Sequence, residues 1–264
     1  MADYQAFKNF IRKIPGAVWA HHAITRSPRA LAFRLRGKTR FSQAYYPPLS
    51  RVLGPAKRRS HLSDHLGTIF FFALEARPRL MVELGTNQGE STRVLLTAAH
   101  MTQSRLLSMD IQDCGHLDLP FKERWSFVRS DDVAFGQTSF VKWCRDRSIE
   151  PEIDLLFIDT SHLLEHAQQE LATWSPFLSG RGTMLLHDTN MGRGLCARLD
   201  GSIDFGFDNQ RGVIRAVEAF LGRRYDETSF FSDVADGWLL LHHPHCNGLL
   251  VLKKYQPLTQ GMPH

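Results

Sequence analysis

The residues able to do chemistry collect where short apolar runs end in polar positions. One run closes as Glu83-Leu84-Gly85-Thr86-Asn87-Gln88-Gly89-Glu90-Ser91. Gly85 and Gly89 allow a tight turn and a close backbone approach to a ligand, and the amides of a following helix start can face a carboxylate. An ordinary tight turn would use the same glycines. Their spacing differs from the dinucleotide GxGxxG, so an NAD-dependent dehydrogenase is the weakest reading. The next run ends Ser108-Met109-Asp110, where an acidic side chain can accept hydrogen bonds from both hydroxyls of a ribose. A third ends Arg129-Ser130-Asp131, at a position suited to reading an adenine amino group.

Two further runs end in Asp159-Thr160-Ser161-His162 and His187-Asp188-Thr189-Asn190. At adjacent strand ends these would bring Asp159, His162, His187 and Asp188 around one pocket. Paired carboxylates with imidazole, carbonyl oxygen and water suit Mg²⁺ or another divalent ion. A histidine of near-neutral pKa can remove a hydroxyl proton. The plainer alternative is that Asp159 and Asp188 cap the helices that follow.

Such strand ends need a scaffold that aligns them. Apolar periodicity predicts helices at 61–76, 91–100, 135–147, 163–177 and 212–221, and strands at 80–84, 105–110, 125–129, 153–159 and 183–187. Segments 238–242 and 249–253, separated by Pro244, Asn247 and Gly248, predict an antiparallel hairpin. The fold class is therefore α/β: a Rossmann-like, doubly wound, seven-stranded sheet, mostly parallel, with a C-terminal antiparallel hairpin. Ligands of such sheets bind at the carboxyl ends of the strands.

The 264 residues suit one such domain plus an extension, divided near residue 60. Residues 1–60 read as a basic N-terminal extension or lid, and residues 61–264 as the main domain. Ten cations between Arg26 and Arg59 (Arg26, Arg29, Arg34, Arg36, Lys38, Arg40, Arg51, Lys57, Arg58, Arg59) have no acidic residue among them. A solvated arm or homo-oligomer contact is favoured over nucleic-acid binding, because no aromatic-interleaved RNA motif accompanies them. Cys114, Cys144, Cys196 and Cys246 form no CxxC pair, which argues against a zinc site and a disulfide framework. No apolar run reaches the roughly 18 residues of a membrane helix, and no signal-peptide core is present, so a cytoplasmic location is expected.

The runs ELGTNQGEST, SMD, DLLFIDTSH, LLHDTN and RGVIRAVEAFL together resemble class I S-adenosylmethionine-dependent methyltransferases. More narrowly, they are similar to metal-dependent O-methyltransferases of natural-product biosynthesis. These include the macrolide sugar O-methyltransferases and the cephalosporin-hydroxylase-like group, with catechol O-methyltransferase more distant. The resemblance covers residues 61–255. It implies that Glu83, Gly85, Thr86, Asn87 and Gly89 surround the methionine part of S-adenosylmethionine, with Ser91 at its carboxylate. Asp110, with Ile111 beside it, would hold the ribose, and Ser130 and Asp131 the adenine. Asp159, also a cofactor contact, and Asp188 match metal ligands. His187 stands where one sugar-methylating branch has an acidic ligand, and His162 matches that branch's general base.

The implied activity is transfer of a methyl group to a hydroxyl of a small molecule or glycosylated natural product, with Mg²⁺ the foremost metal. An RNA methyltransferase and a non-catalytic S-adenosylmethionine-binding or assembly module are the alternatives. Residues 191–210, with Arg193, Arg198, Phe205, Phe207 and Asp208, are expected either to help cover the acceptor pocket or, from their Gly and Asp content, to form a plain surface connection.

Overall fold

The computed structural model describes residues 60–255, apart from Arg193. The basic stretch from Arg26 to Arg59 and the expected lid thus lie outside the described residues. Elements are numbered here among the described residues.

Helix α1 (Leu66–Glu75) leads into β1 (Leu80–Leu84), α2 (Glu90–Thr102), β2 (Arg105–Asp110) and β3 (Trp125–Arg129). Two short helices, α3 (Asp132–Thr138) and α4 (Phe140–Arg145), precede β4 (Ile153–Ile158), α5 (Leu164–Trp174) and β5 (Leu178–His187). A small hairpin, β6 (Leu195–Ala197) and β7 (Ile203–Phe205), leads to α6 (Gly212–Leu221) and then to β8 (Phe231–Ala235), β9 (Trp238–His243) and β10 (Leu249–Lys254). The main sheet runs β3-β2-β1-β4-β5-β10-β9-β8. Strands β1 to β5 pair in parallel, and the last three are antiparallel.

Alternation along each strand splits the core in two. Leu80, Val82 and Leu84 of β1 pack with Leu156, Ile158, Met184 and Leu186 beneath α3 to α6. On the other face Met81, Leu155, Phe157 and Leu185 pack beneath α1 and α2 through Ile69, Phe70, Leu95 and Leu96. Helices thus cover both faces, and all five residues of β1 are buried. That burial explains its nearly continuous apolar run, as expected of a parallel strand. Among the described residues, no helix is long and apolar enough to cross a membrane. The four cysteines are free and buried.

Three expectations need correction. The sheet has eight strands rather than seven, because β8 pairs along β9 at the edge. Its alternation of half-buried and exposed positions around Asp233 and Val234 gives no apolar run to read. The helix expected over 135–147 is two helices that begin earlier and break at Ser139 (φ −127°, ψ −24°). The helix expected from residue 61 begins at Leu66, because residues 60–65 are tied elsewhere. The Arg198 guanidinium donates to the Ser60 carbonyl (3.0 Å), to Ser63 Oγ and to Asp64 Oδ1 (3.2 Å).

Candidate active site

The turn after β1 depends on its glycines. Gly85 (φ +87°) lies so close to β4 that a Cβ there would be 2.0 Å from the Asp159 carbonyl oxygen. Gly89 (φ +74°) starts α2, and Asn87 (φ +47°) completes the left-handed positions of the loop. Asparagine and glycine are the residues that take such angles most easily.

Asp110, at the end of β2, holds this loop in place. Its Oδ2 accepts from the Thr86 amide (3.0 Å) and the Asn87 amide (2.9 Å), and its Oδ1 accepts from the Gln112 amide (2.8 Å). A carboxylate has about four lone-pair sites, so acceptor capacity is left for a ribose. Ile111 beside it is 69% exposed, an apolar side chain open to a flat ring.

Glu83 is turned inward. It is fully buried, with Oε1 accepting from Ser91 Oγ (2.7 Å) and Oε2 from Thr92 Oγ1 (2.9 Å) and Ser108 Oγ (2.6 Å). Burial pushes its carboxyl up to about 7 against the pull of these three hydroxyls. Glu83 therefore ties β1, α2 and β2 together beneath the loop, and the Ser91 hydroxyl proton is spent on that tie. At the β3 end, the Ser130 amide donates to the Asp110 carbonyl, and Asp131 Oδ1 caps α3 by accepting from the Ala134 amide (2.8 Å).

The ends of β4 and β5 carry a different kind of site. His162 Nε2 is 2.7 Å from Asp188 Oδ2 and 3.4 Å from Asp159 Oδ1. His187 Nδ1 is 3.2 Å from Asp159 Oδ1 and 3.3 Å from Asp188 Oδ1. The four residues expected to share a pocket thus meet. Neither carboxylate caps a helix: the N-cap of α5 is Leu163 and that of α6 is Arg211, each without a side-chain cap. His162 (φ +61°) and Asp188 (φ +58°) both occupy the left-handed region, a costly conformation for these side chains.

Charge explains the protonation of this group. Burial pulls His162 down, but the Asp188 charge and the bonds to both carboxylates outweigh it and raise the imidazole to about 10. His187 is raised in the same way, against full burial, by Asp188 and Asp159. Burial alone would raise Asp188; His187 and His162 hold it well below the usual carboxylate range. Without another cation, both imidazoles serve as the counter-charges.

The donor set suits a metal ion. His187 Nε2 donates to the Cys246 carbonyl (3.2 Å), which leaves Nδ1 turned to the two carboxylates. His187, Asp159 and Asp188 each offer one ligand atom, all within 4.8 Å of one another. Asp188 Oδ1 is buried and has no hydrogen-bond partner, so one acceptor in the cluster is unspent. Nitrogen and carboxylate oxygen at this spacing fit a divalent ion.

Several supporting residues were not legible in the sequence. Buried His65 lies edge-on to His187 (5.6 Å between ring centroids) and bonds through Nε2 to the His245 carbonyl (2.8 Å). Burial and the His187 charge push its imidazole down to about 3. Arg198, expected near an acceptor, is buried and its guanidinium is taken up by the ties to residues 60–64. Phe207 in the same segment is exposed, and Arg193 lies outside the described residues.

Comparison with known proteins agrees with this architecture. Residues 82–189 match the model of a methyltransferase domain. The chain is 26% identical over 126 residues to O-methyltransferase hkm8 of Aspergillus hancockii, across 44% of this chain and 45% of that protein. The match therefore spans less than half of that relative's length. Among solved structures, the chain is similar to cofactor-bound Rv0187 from MTB (TM-score 0.51, 15% identity, 88% of this chain and 99% of that chain). It is also similar to the O-methyltransferase from Bacillus cereus in complex with SAH (TM-score 0.50, 13% identity, 83% and 96%). At such identities the likeness to solved structures is one of fold. The matched residues take in most of β1, the loop after it, the acidic end of β2 and the ends of β4 and β5, so the candidate site lies within the part of the chain that matches a methyltransferase domain.

Proposed function

We propose that the chain is an O-methyltransferase acting on a hydroxyl of a small molecule or glycosylated natural product. A divalent metal, Mg²⁺ foremost, would be held by Asp159, His187 and Asp188, and His162 would be the general base. The observation that carries this reading is the closeness of His187 Nδ1, Asp159 Oδ1 and Asp188 Oδ1, the last buried and without a hydrogen bond, beside the loop after β1. Gly85 touches the Asp159 carbonyl, so cofactor and metal positions are neighbours.

In this reading S-adenosylmethionine supplies a methyl group already activated on its sulfonium, and the protein supplies alignment. A cation bound at the three ligands would lower the pKa of an acceptor hydroxyl. Thr86, Asn87 and Gly89 shape the loop around the methionine part; Asp110 and Ile111 receive the ribose and adenine side. Glu83 and Ser91 act from beneath that loop, and Ser130 and Asp131 close its adenine end. His162, held protonated by Asp188 and Asp159, can accept a proton only when their charge is drawn elsewhere. Base and metal thus stand or fall together. We place the enzyme in the cytoplasm.

The test is methyl transfer from labelled S-adenosylmethionine to a panel of diols, catechols and sugar hydroxyls. EDTA should abolish transfer and added Mg²⁺ restore it. His162→Ala should reduce turnover by about a hundredfold or more, the usual scale of a general base. Turnover indifferent to EDTA and Mg²⁺ would remove the metal, and an unchanged His162→Ala rate would remove the base.

A further inference from the structure

The run RGVIRAVEAFL has a use beyond building α6. Just before it, the Asn209 amide nitrogen donates to the carbonyl of Asp188 (3.3 Å). Asn209 Oδ1 accepts from the Gly212 amide (3.3 Å), and its own amide donates to the Met191 carbonyl (2.7 Å). Asn209 is 8% exposed, so these contacts lie inside the protein. Gly212, at the start of α6, lies against the backbone of His162: a Cβ there would be 2.3 Å from the His162 carbonyl oxygen.

One turn thus touches the backbones of both left-handed residues in the charged cluster, Asp188 and His162. The turn is itself under constraint. Gln210 (φ +55°) and Arg211 (φ +61°) are also left-handed. Arg211 pins it through Glu227 (2.7 and 2.8 Å) and Glu218 (2.9 Å). Left-handed non-glycine residues persist only where surrounding structure fixes them. Four of them meet here, and the Asn209–Gly212 turn is the contact they share.

We propose that Asn209 is a positioning residue for the metal centre: with Gly212 it clamps the backbones of Asp188 and His162, so that the Asp188 carboxylate faces His187 and Asp159. The inference rests on the metal reading given above. Its chemistry is that of an outer partner fixing a ligand, whose loss commonly costs about 10- to 100-fold in metal affinity.

Asn209 also supports the start of α6, and the test must separate the two roles. Asn209→Asp does so. It keeps an acceptor for the Gly212 amide and adds negative charge at a helix start, which favours the helix. It cannot donate to the Asp188 carbonyl. The added carboxylate would by itself attract a cation, so a fall in metal affinity points to the altered contact with Asp188, where a donor has been replaced by an oxygen that repels its carbonyl. The measurement is a Mn²⁺ titration by electron paramagnetic resonance, with S-adenosylhomocysteine affinity by calorimetry and Tm alongside, on the full chain.

The clamp predicts that Asn209→Asp weakens Mn²⁺ by about tenfold while S-adenosylhomocysteine affinity stays at the wild-type value. Asn209→Ala should weaken Mn²⁺ equally and lower Tm as well. Asn209→Asp binding Mn²⁺ like the wild type overturns the clamp and leaves the metal reading intact. Loss of S-adenosylhomocysteine affinity in Asn209→Asp also overturns it, because the residue would then support the domain at large. A wild-type chain that binds no Mn²⁺ overturns the metal reading itself, and this inference with it.

Discussion

The two halves of the candidate site are built on opposite terms. At the ends of β1 and β2, the loop turns on glycines and one asparagine, and its polar groups are satisfied by neutral donors. Glu83 accepts from three hydroxyls, and Asp110 from three amides. At the ends of β4 and β5, the turns use left-handed His162 and Asp188, the carboxylates face imidazoles, and one buried carboxylate oxygen has no hydrogen bond. The first half is complete as folded and offers shape. The second half stores strain and charge, and a buried polar group left unpaired is costly. Such cost is expected where a fold reserves atoms for a ligand. On the function proposed above, the contrast puts shape recognition in one half and chemistry in the other.

The sharpest way to break this division is at the contact between the halves. Gly85→Ala would place a methyl group 2.0 Å from the Asp159 carbonyl oxygen at φ +87°. Neither strand can retreat, because both are buried in the middle of the sheet. We expect a loss of about 4 kcal/mol or failure to fold, measured by urea unfolding. A wild-type midpoint would show that the loop has room to move.

The next effect separates the halves. Asp188→Asn removes the charge facing both imidazoles and leaves the cofactor loop untouched. Methyl transfer should fall by about a thousandfold, with S-adenosylhomocysteine affinity retained, if Asp188 has the metal-holding role proposed above. Loss of both functions together would mean that the halves are one cooperative site.

The same contrast explains what could be read from the sequence. Strand ends announce themselves: Leu80–Leu84, Arg105–Asp110 and Trp125–Arg129 have the bounds expected from their apolar runs. Asp110, Asp159, His162, His187 and Asp188 follow because each ends a buried strand or lies within four residues of its end. Residues acting through tertiary contacts leave no such trace. Arg198 reads as a loop cation, yet its partners lie about 135 positions earlier. Glu83 looks like a cofactor ligand by its place in the motif. Only the three surrounding hydroxyls, two on α2 and one on β2, show that it faces inward. Asn209 before α6 resembles an ordinary helix-start residue, because its hold on Asp188 depends on how the turn folds back.

Glu83 supplies the smallest and most specific check. Its carboxyl is raised by burial to about 7 from an ordinary 4.5, so the folded chain holds this proton more tightly than the unfolded chain. The stabilising contribution is therefore fully present below about pH 4.5 and is lost as pH rises, levelling off above 7. The span corresponds to about 3 kcal/mol. Glu83→Gln removes the titration while keeping much of the network. An amide oxygen can accept from Thr92 and Ser108, and the amide nitrogen can donate to Ser91, whose hydroxyl is free to rotate. Other groups titrate across the same range, so the informative quantity is the difference between variant and wild type. That difference should move in favour of Glu83→Gln by about 3 kcal/mol between pH 4.5 and 8, measured by urea unfolding at each pH. A difference independent of pH would mean that Glu83 titrates alike in folded and unfolded chains. The hydroxyls would then offset its burial fully, and the cofactor half would hold a true charge beneath its loop.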